Sequence, residues 1–226
     1  YVASFFSLAN FLKNNKDMFQ YYAFSDQDDF WDEDKLQIAI DRIEEIKKNK
    51  PVLYSSVSRI VDEKLQFIRI SKYPRRKVCF YNTAIQTYAA GHTYVFNRAL
   101  LEKMSPSLNP KMIYGHDSYF ANIAAITGVI LFDPIPHASY RQHNKNQLGT
   151  SSNNIIQWSK SRFARVLKGD SKKYAKQIYH IYKIHGEELG KEERQEMKEF
   201  FEMQKSFYTR IVYSTIRTRL YRQGII

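Results

Sequence analysis

Tyr21-Tyr22-Ala23-Phe24-Ser25-Asp26-Gln27-Asp28-Asp29-Phe30-Trp31 decides how this chain is read. Gln20 to Phe24 is a short apolar run of the kind that forms a buried strand. Three carboxylates follow within four residues, Asp26, Asp28 and Asp29. Carboxylates one residue apart on a loop at a strand end can face one point, and their mutual repulsion is relieved by a cation. Oxygen ligands suit Mg²⁺ or Mn²⁺ better than zinc, and such an ion is an electrophilic partner for a phosphate leaving group. The plain alternative is a solvated acidic turn with Asp32 capping the next helix, because a bare D-x-D recurs by chance.

Outward from this loop, helices and strands alternate. Val2, Phe5, Phe6, Ala9 and Leu12 recur at helical spacing. Leu36, Ile40, Ile43 and Ile46 mark a second helix, closed by Pro51. Val52–Ile60 and Leu65–Ile70 read as strands around the turn Asp62-Glu63. Residues 82–89 read as a short helix and Gly91–Phe96 as a strand. Asp117–Thr127 reads as a helix with Gly128 at its end, followed by strands at Val129–Phe132 and His137–Arg141. The alternation predicts an α/β fold up to about residue 142. A polar linker, residues 144–152, then leads into a region that reads as entirely helical. Its apolar faces are Ile156, Phe163 and Val166; Tyr174, Ile178, Ile181 and Tyr182; Met197, Phe200, Phe201 and Tyr208; and Ile211, Val212, Ile216 and Leu220. The expected division is an α/β part at 1–150 and a basic helical region at 151–226.

Composition narrows the classes. The chain has 226 residues, 43% hydrophobic and 15% aromatic, enough to bury a core. No run of eighteen apolar residues exists, which excludes a spanning helix. A single cysteine, Cys79, excludes a disulfide framework and a cysteine-built zinc site, and with no His/Asp arrangement beside it an inert thiol is expected. The formal charge is +12. Residues 151–226 hold 16 basic and 8 acidic side chains, against 19 and 15 in residues 1–150, so the excess of charge points to an anionic partner for the C-terminal part. Ile211, Val212, Ile216 and Leu220 interleave with Arg210, Arg217, Arg219 and Arg222 in a basic amphipathic end suited to an anionic membrane surface, the plain alternative being a solvated bundle with Lys and Arg on its outer faces. Neither an aromatic-basic recognition signature nor a helix-turn-helix pattern is present, so nucleic acid is not an expected partner.

The segment Tyr22-Ala23-Phe24-Ser25-Asp26-Gln27-Asp28-Asp29-Phe30-Trp31, with Asp34-Lys35-Leu36 after it, resembles the D-x-D segment of family 2 glycosyltransferases with the GT-A fold. It is most similar to that of bacterial rhamnosyltransferases. Gly91-His92-Thr93 with Phe96-Asn97-Arg98 resembles the strand that lines the acceptor side. Gly115-His116-Asp117 resembles the segment that holds the catalytic base. Tyr140-Arg141-Gln142-His143, with Asn146 and Gly149, resembles the element that ends the catalytic domain. The family's opening nucleotide-binding strand and its D-D-G-S-type loop have no counterpart. The expectation is therefore the C-terminal two thirds of such an enzyme, Rossmann-like in part, with weak or no donor binding on its own.

The resemblance implies a metal-dependent, inverting transfer of a sugar from a nucleotide donor such as dTDP-L-rhamnose. The acceptor would be a growing, lipid-linked cell-wall, capsular or O-antigen polysaccharide at the inner face of the cytoplasmic membrane. It implies Asp117 as the general base and Asp26, Asp28 and His143 as metal ligands. Gln27, Asp29 and Arg141 would contact the donor, and Trp31, Gly91, His92, Thr93 and His116 the acceptor. Each has a plainer reading: Asp117 as a helix-start carboxylate, His143 as a surface histidine, His92 as a packed strand residue, His116 as a loop orienter, Trp31 as a loop anchor. His137, His180 and His185 belong to no constellation and read as structural. The alternative function is a catalytically incomplete basic module that contacts membrane or glycan.

Overall fold

The computed structural model describes residues 2–15, 19–105, 113–142, 170–203 and 219–221. The N-terminal periodicity forms helix α1 (Val2–Asn14), which buries Phe6 and Ala9. Strand β1 (Tyr21–Ala23) follows, then β2 (Phe30–Trp31), helix α2 (Lys35–Glu44), β3 (Val52–Ser56), β4 (Arg59–Val61) and β5 (Phe67–Ile70). After them come helix α3 (Phe80–Thr83), a 3-10 turn at Gly91–Thr93, β6 (Val95–Asn97), helix α4 (Arg98–Glu102), helix α5 (His116–Thr127), β7 (Val129–Asp133) and β8 (Ala138–Arg141). Helices α6 (Asp170–His185) and α7 (Lys191–Met203) complete the described elements.

The protein is mixed α/β, with two four-stranded sheets ordered β1-β6-β3-β7 and β2-β8-β4-β5. Each holds one parallel pair, β3 with β7 and β4 with β8, among antiparallel neighbours. Period-2 alternation sorts the first sheet's side chains into two cores. Tyr22, Leu53 and Phe96 enter the larger core with Phe6, Tyr119 and Phe120. Val52, Tyr54 and Val95 face the other way, onto Ala39 and Ile43 of α2. The first sheet is thus sandwiched between α2 on one face and α1 with α5 on the other.

Four sequence expectations shift. The strand expected over Val52–Ile60 is two strands, because the chain leaves the first sheet at Val57-Ser58 and enters the second as β4. Its parallel neighbour makes the same move from β7 to β8, with the Val57 amide donating to the Asp133 carbonyl (3.2 Å). Asp32 does not cap α2: it pairs with the Arg59 guanidinium, and Asp34 stands at the cap without a side-chain hydrogen bond. The helix expected at residues 82–89 is the single turn α3, placed two residues earlier. Gly91–Phe96 opens as a 3-10 turn, closed by Thr93 Oγ1 donating to the Ala90 carbonyl (2.8 Å), before it becomes β6.

Helices α6 and α7 pack into the main core, where Ile178, Ile181, Leu189 and Met197 are buried beside the aromatic residues of α5. The faces expected around Ile156, Phe163, Val166 and Ile211–Ile216, and the linker 144–152, lie outside the described residues. Among the described residues no helix is long and apolar enough to cross a membrane.

Candidate active site

The order of strands dictates where the acidic loop must lie. Strand β1 is at the edge of the first sheet away from β7, yet β2 pairs with β8, which continues β7. Residues 24–29 therefore cross the strand ends, about 14 Å for three strand spacings, a reach that six residues cover. Phe24 is pinned on the way by its amide donating to the Tyr94 carbonyl (3.4 Å). The crossing places Asp26, Gln27 and Asp28 over the notch where β3 passes into β4. There they line a cleft of about 1010 Å³ together with Ser58, Gly91, His92, His116, Asp117 and Tyr140.

Under the loop polar groups cluster, with Asp29 Oδ2 and Trp31 Nε1 buried outside hydrogen-bond geometry. His92 is 4% exposed, its Nδ1 lies 3.3 Å from Asp29 Oδ2 and its Nε2 2.7 Å from Ser58 Oγ. Its ring stacks on Tyr140, centroids 5.4 Å apart. Burial, helped by the charge of Lys35, lowers the imidazole to about 4, so it is neutral at pH 7. A neutral ring protonated on Nδ1 faces Asp29 with that proton and leaves Nε2 to accept from the Ser58 hydroxyl. Lys35 is 1% exposed: its Nζ donates to the His92 carbonyl (2.7 Å) and sits 3.2 Å from the centroid of the Trp31 ring. Burial lowers this ammonium to about 7, against the pull of Asp29 and Asp32.

The carboxylates crowd one another. Burial and then the charge of Asp28 raise Asp26 above the usual carboxylate range. Burial raises Asp29 to about 7, with Asp26 adding to it. Asp26, Asp29 and His92 bring ligand atoms within 4.8 Å of one another, a grouping that could hold a metal ion. Burial, with mutual repulsion adding to it, raises these carboxylates, and oxygens so placed suit a divalent cation; the His92 imidazole offers it a nitrogen only in place of its contact with Asp29 or Ser58.

Asp117 stands in the first turn of α5, where Ser118 donates its amide to Oδ1 (2.7 Å). Burial raises it to about 6, and the charge of Asp26 pushes in the same direction. Two glycines make room for the side chains of His116 and Asp117. A Cβ on Gly91 would stand 2.5 Å from His116 Nε2, and one on Gly115 2.5 Å from Asp117 Oδ1. His116 stacks on Phe5 at 4.0 Å, with its imidazole lowered to about 4 by burial.

Of the residues singled out from sequence, the cleft gathers Asp26, Gln27, Asp28, Gly91, His92, His116 and Asp117 in its lining. Asp29 lies beneath it, its side chain fully buried against His92. Arg141 is joined to the loop through its amide, which donates to Asp29 Oδ1 (3.4 Å). Trp31 and Thr93 are not in the lining: Trp31 packs behind the loop on Lys35, and Thr93 closes the turn under it. His143 lies outside the described residues.

Several residues were given no role of their own from the sequence. Lys35 occupies the buried stripe of α2 with Ala39 and Ile43, and a lysine in step with apolar residues four and eight positions on was its available signal. Tyr140 stood in the quoted Tyr140-Arg141-Gln142-His143 segment without a role of its own, and Ser58 had no local signal. Nor did Gln177 of α6, which accepts from the Tyr114 amide (2.8 Å) and donates to Ser118 Oγ (3.0 Å), bracketing the turn that carries Asp117. A second grouping, Asp32, Asp34 and His137, lies apart from the cleft lining. There the Arg59 guanidinium, bonded to Asp32, Ser139 Oγ and the Pro136 carbonyl, already supplies positive charge.

No family model matches the chain, and no curated protein matches it.

Proposed function

We propose that the chain carries the acceptor and metal side of a glycosyltransferase of the GT-A type, metal-dependent and inverting, working on a nucleotide-activated sugar. The single observation behind this reading is the convergence of Asp26, Asp28 and Asp117 on one cleft, although the acidic loop and Asp117 stand about ninety residues apart in sequence. A transfer with inversion needs a base on the acceptor side and charge stabilisation at the leaving diphosphate. Asp117, raised to about 6, is a base poised near neutral pH. It takes the proton of the acceptor hydroxyl as that oxygen bonds to the anomeric carbon and the bond from that carbon to the diphosphate breaks. Asp26 and Asp28, with Asp29 and His92 behind them, would hold Mn²⁺ or Mg²⁺, whose charge offsets that of the departing diphosphate. His116 and Gly91 shape the wall beside the base. Asp29, paired with His92, fixes the loop. By its resemblance to rhamnosyltransferases the donor is a deoxyhexose nucleotide such as dTDP-L-rhamnose and the acceptor a lipid-linked polysaccharide.

The test combines binding with turnover. Mn²⁺ titrated calorimetrically into the chain is expected to bind, and Asp28→Asn to weaken it while Asp117→Asn leaves it unchanged. With a panel of nucleotide sugars and the longest form of the protein that expresses, release of nucleoside diphosphate is expected for one donor. Asp117→Asn should lower that release by about 10²–10⁴. Mn²⁺ affinity unchanged in both Asp26→Asn and Asp28→Asn would remove the metal assignment. Release unchanged in Asp117→Asn would remove the base.

A further inference from the structure

Strand β5 and its flanks are the most exposed apolar feature described. Leu65, Phe67, Ile68 and Ile70 are 43%, 61%, 50% and 38% exposed, and Tyr73 beyond them is 56% exposed. The strand lies at the edge of the second sheet and pairs with β4 alone. A long apolar edge left bare is an aggregation hazard that proteins normally blunt or cover. Here basic side chains surround it: residues 62–77 hold Lys64, Arg69, Lys72, Arg75, Arg76 and Lys77 against Asp62 and Glu63.

The tip of the hairpin carries a second signal. Asp62 Oδ1 accepts from the amides of Lys64 (2.9 Å) and Gln66 (2.8 Å), and this tight turn forces Leu65 to φ 65°. Glycine or asparagine is the ordinary occupant of such a position, and a branched apolar side chain pays backbone strain to stand there. The strain presents a leucine to the outside, at the end of the hairpin.

We propose that the β4–β5 hairpin and residues 72–77 dock the protein on an anionic lipid bilayer, with Leu65, Phe67 and Ile68 entering the interface and the basic side chains facing the headgroups. Apolar residues at the tip with cations around them are the combination that such a surface binds. A second copy is the less suited occupant, since edge-to-edge pairing would set one cluster of cations against another. The hairpin also has a fixed place relative to the cleft. Ser71 donates its amide to the Ser58 carbonyl (2.8 Å), and its Oγ accepts from the Ser58 amide (3.0 Å). Ser58 is the residue bonded to His92, and Ser71 and Lys72 line the cleft. Docking therefore holds the cleft beside the lipid surface. The inference stands apart from the transferase reading, because its readout is binding to lipid.

Co-sedimentation of the chain with vesicles of phosphatidylcholine alone, and of phosphatidylcholine with phosphatidylglycerol, tests it. Binding is expected with the anionic vesicles and should fall with salt. Arg75→Ala and Lys77→Ala should each weaken it about fivefold. Phe67→Ser should weaken it several-fold. Leu65→Asn should do the same without lowering the melting temperature, since asparagine accepts the positive φ more readily; this separates lost docking from lost folding. The proposal is overturned if wild type pellets with neither vesicle, or if the Leu65, Phe67, Arg75 and Lys77 variants pellet as wild type does. It is equally overturned if sedimentation reveals a concentration-dependent dimer that Leu65→Asn dissolves while no vesicle binds.

Discussion

Asp29 and Asp117 hold their protons far above the 3.8 of a free carboxyl, at about 7 and about 6, chiefly because burial disfavours their charge. A carboxyl raised on folding contributes stability that is fully present below about pH 4 and is lost as pH rises through its folded value. These two groups therefore make the fold progressively less stable from about pH 4 to about pH 7. A bound dication favours the charged carboxylates and reverses the preference. The rise in melting temperature on adding Mn²⁺ is accordingly expected to be small at pH 5.5 and larger at pH 8, with most of the change near pH 7. Thermal scans with and without the ion across this range check it. A rise independent of pH would place the ion away from Asp29.

At the scale of the elements, the joint between α2, β3 and the α5–β7 turn shows how a single atom sets a register. A Cβ on Gly128 would fall 2.0 Å from the Pro51 carbonyl oxygen, and the Val129 amide donates to that same carbonyl (2.9 Å). From there β3 and β7 run parallel from Val52 opposite Val129 to Ser56 opposite Asp133. Gly128→Ala must push the two strand starts apart. It is expected to cost about 1–3 kcal/mol, read by denaturant titration, and to reach the cleft because Ser56 and Phe132 line it. Gly128 stands at φ −153° and ψ −134°, outside the left-handed region, and the space taken by the Pro51 carbonyl is what excludes a side chain. Gly128 read from sequence as the end of a helix; that the Pro51 backbone occupies the place of its side chain is a contact across 77 residues, which no local pattern carries.

The whole molecule joins parts that the sequence presents separately. The basic helical region reads as an appendage, yet Ile178, Ile181 and Met197 complete the core under α5, and Gln177 clamps the turn before and after Asp117. Gln177→Leu keeps the volume but leaves the Tyr114 amide and Ser118 hydroxyl without that partner. The expected result is a loss of about 1–3 kcal/mol in stability and, for the transfer proposed above, turnover reduced through kcat with its pH midpoint shifted and Mn²⁺ affinity unchanged. Turnover with an unchanged pH midpoint would limit Gln177 to packing. What the sequence by itself determined is local: the α1 periodicity, the β1 strand, the acidic loop and the helix opening on Asp117, each readable because its signal lies within a dozen neighbouring residues. Tertiary structure decided the rest: the passage of β3 into β4, the pairing of Asp29 with His92 and of Lys35 with the His92 carbonyl, and the meeting of Asp26 with Asp117. Those partners are separated by tens of residues, and only the order of strands in the two sheets brings them to one cleft.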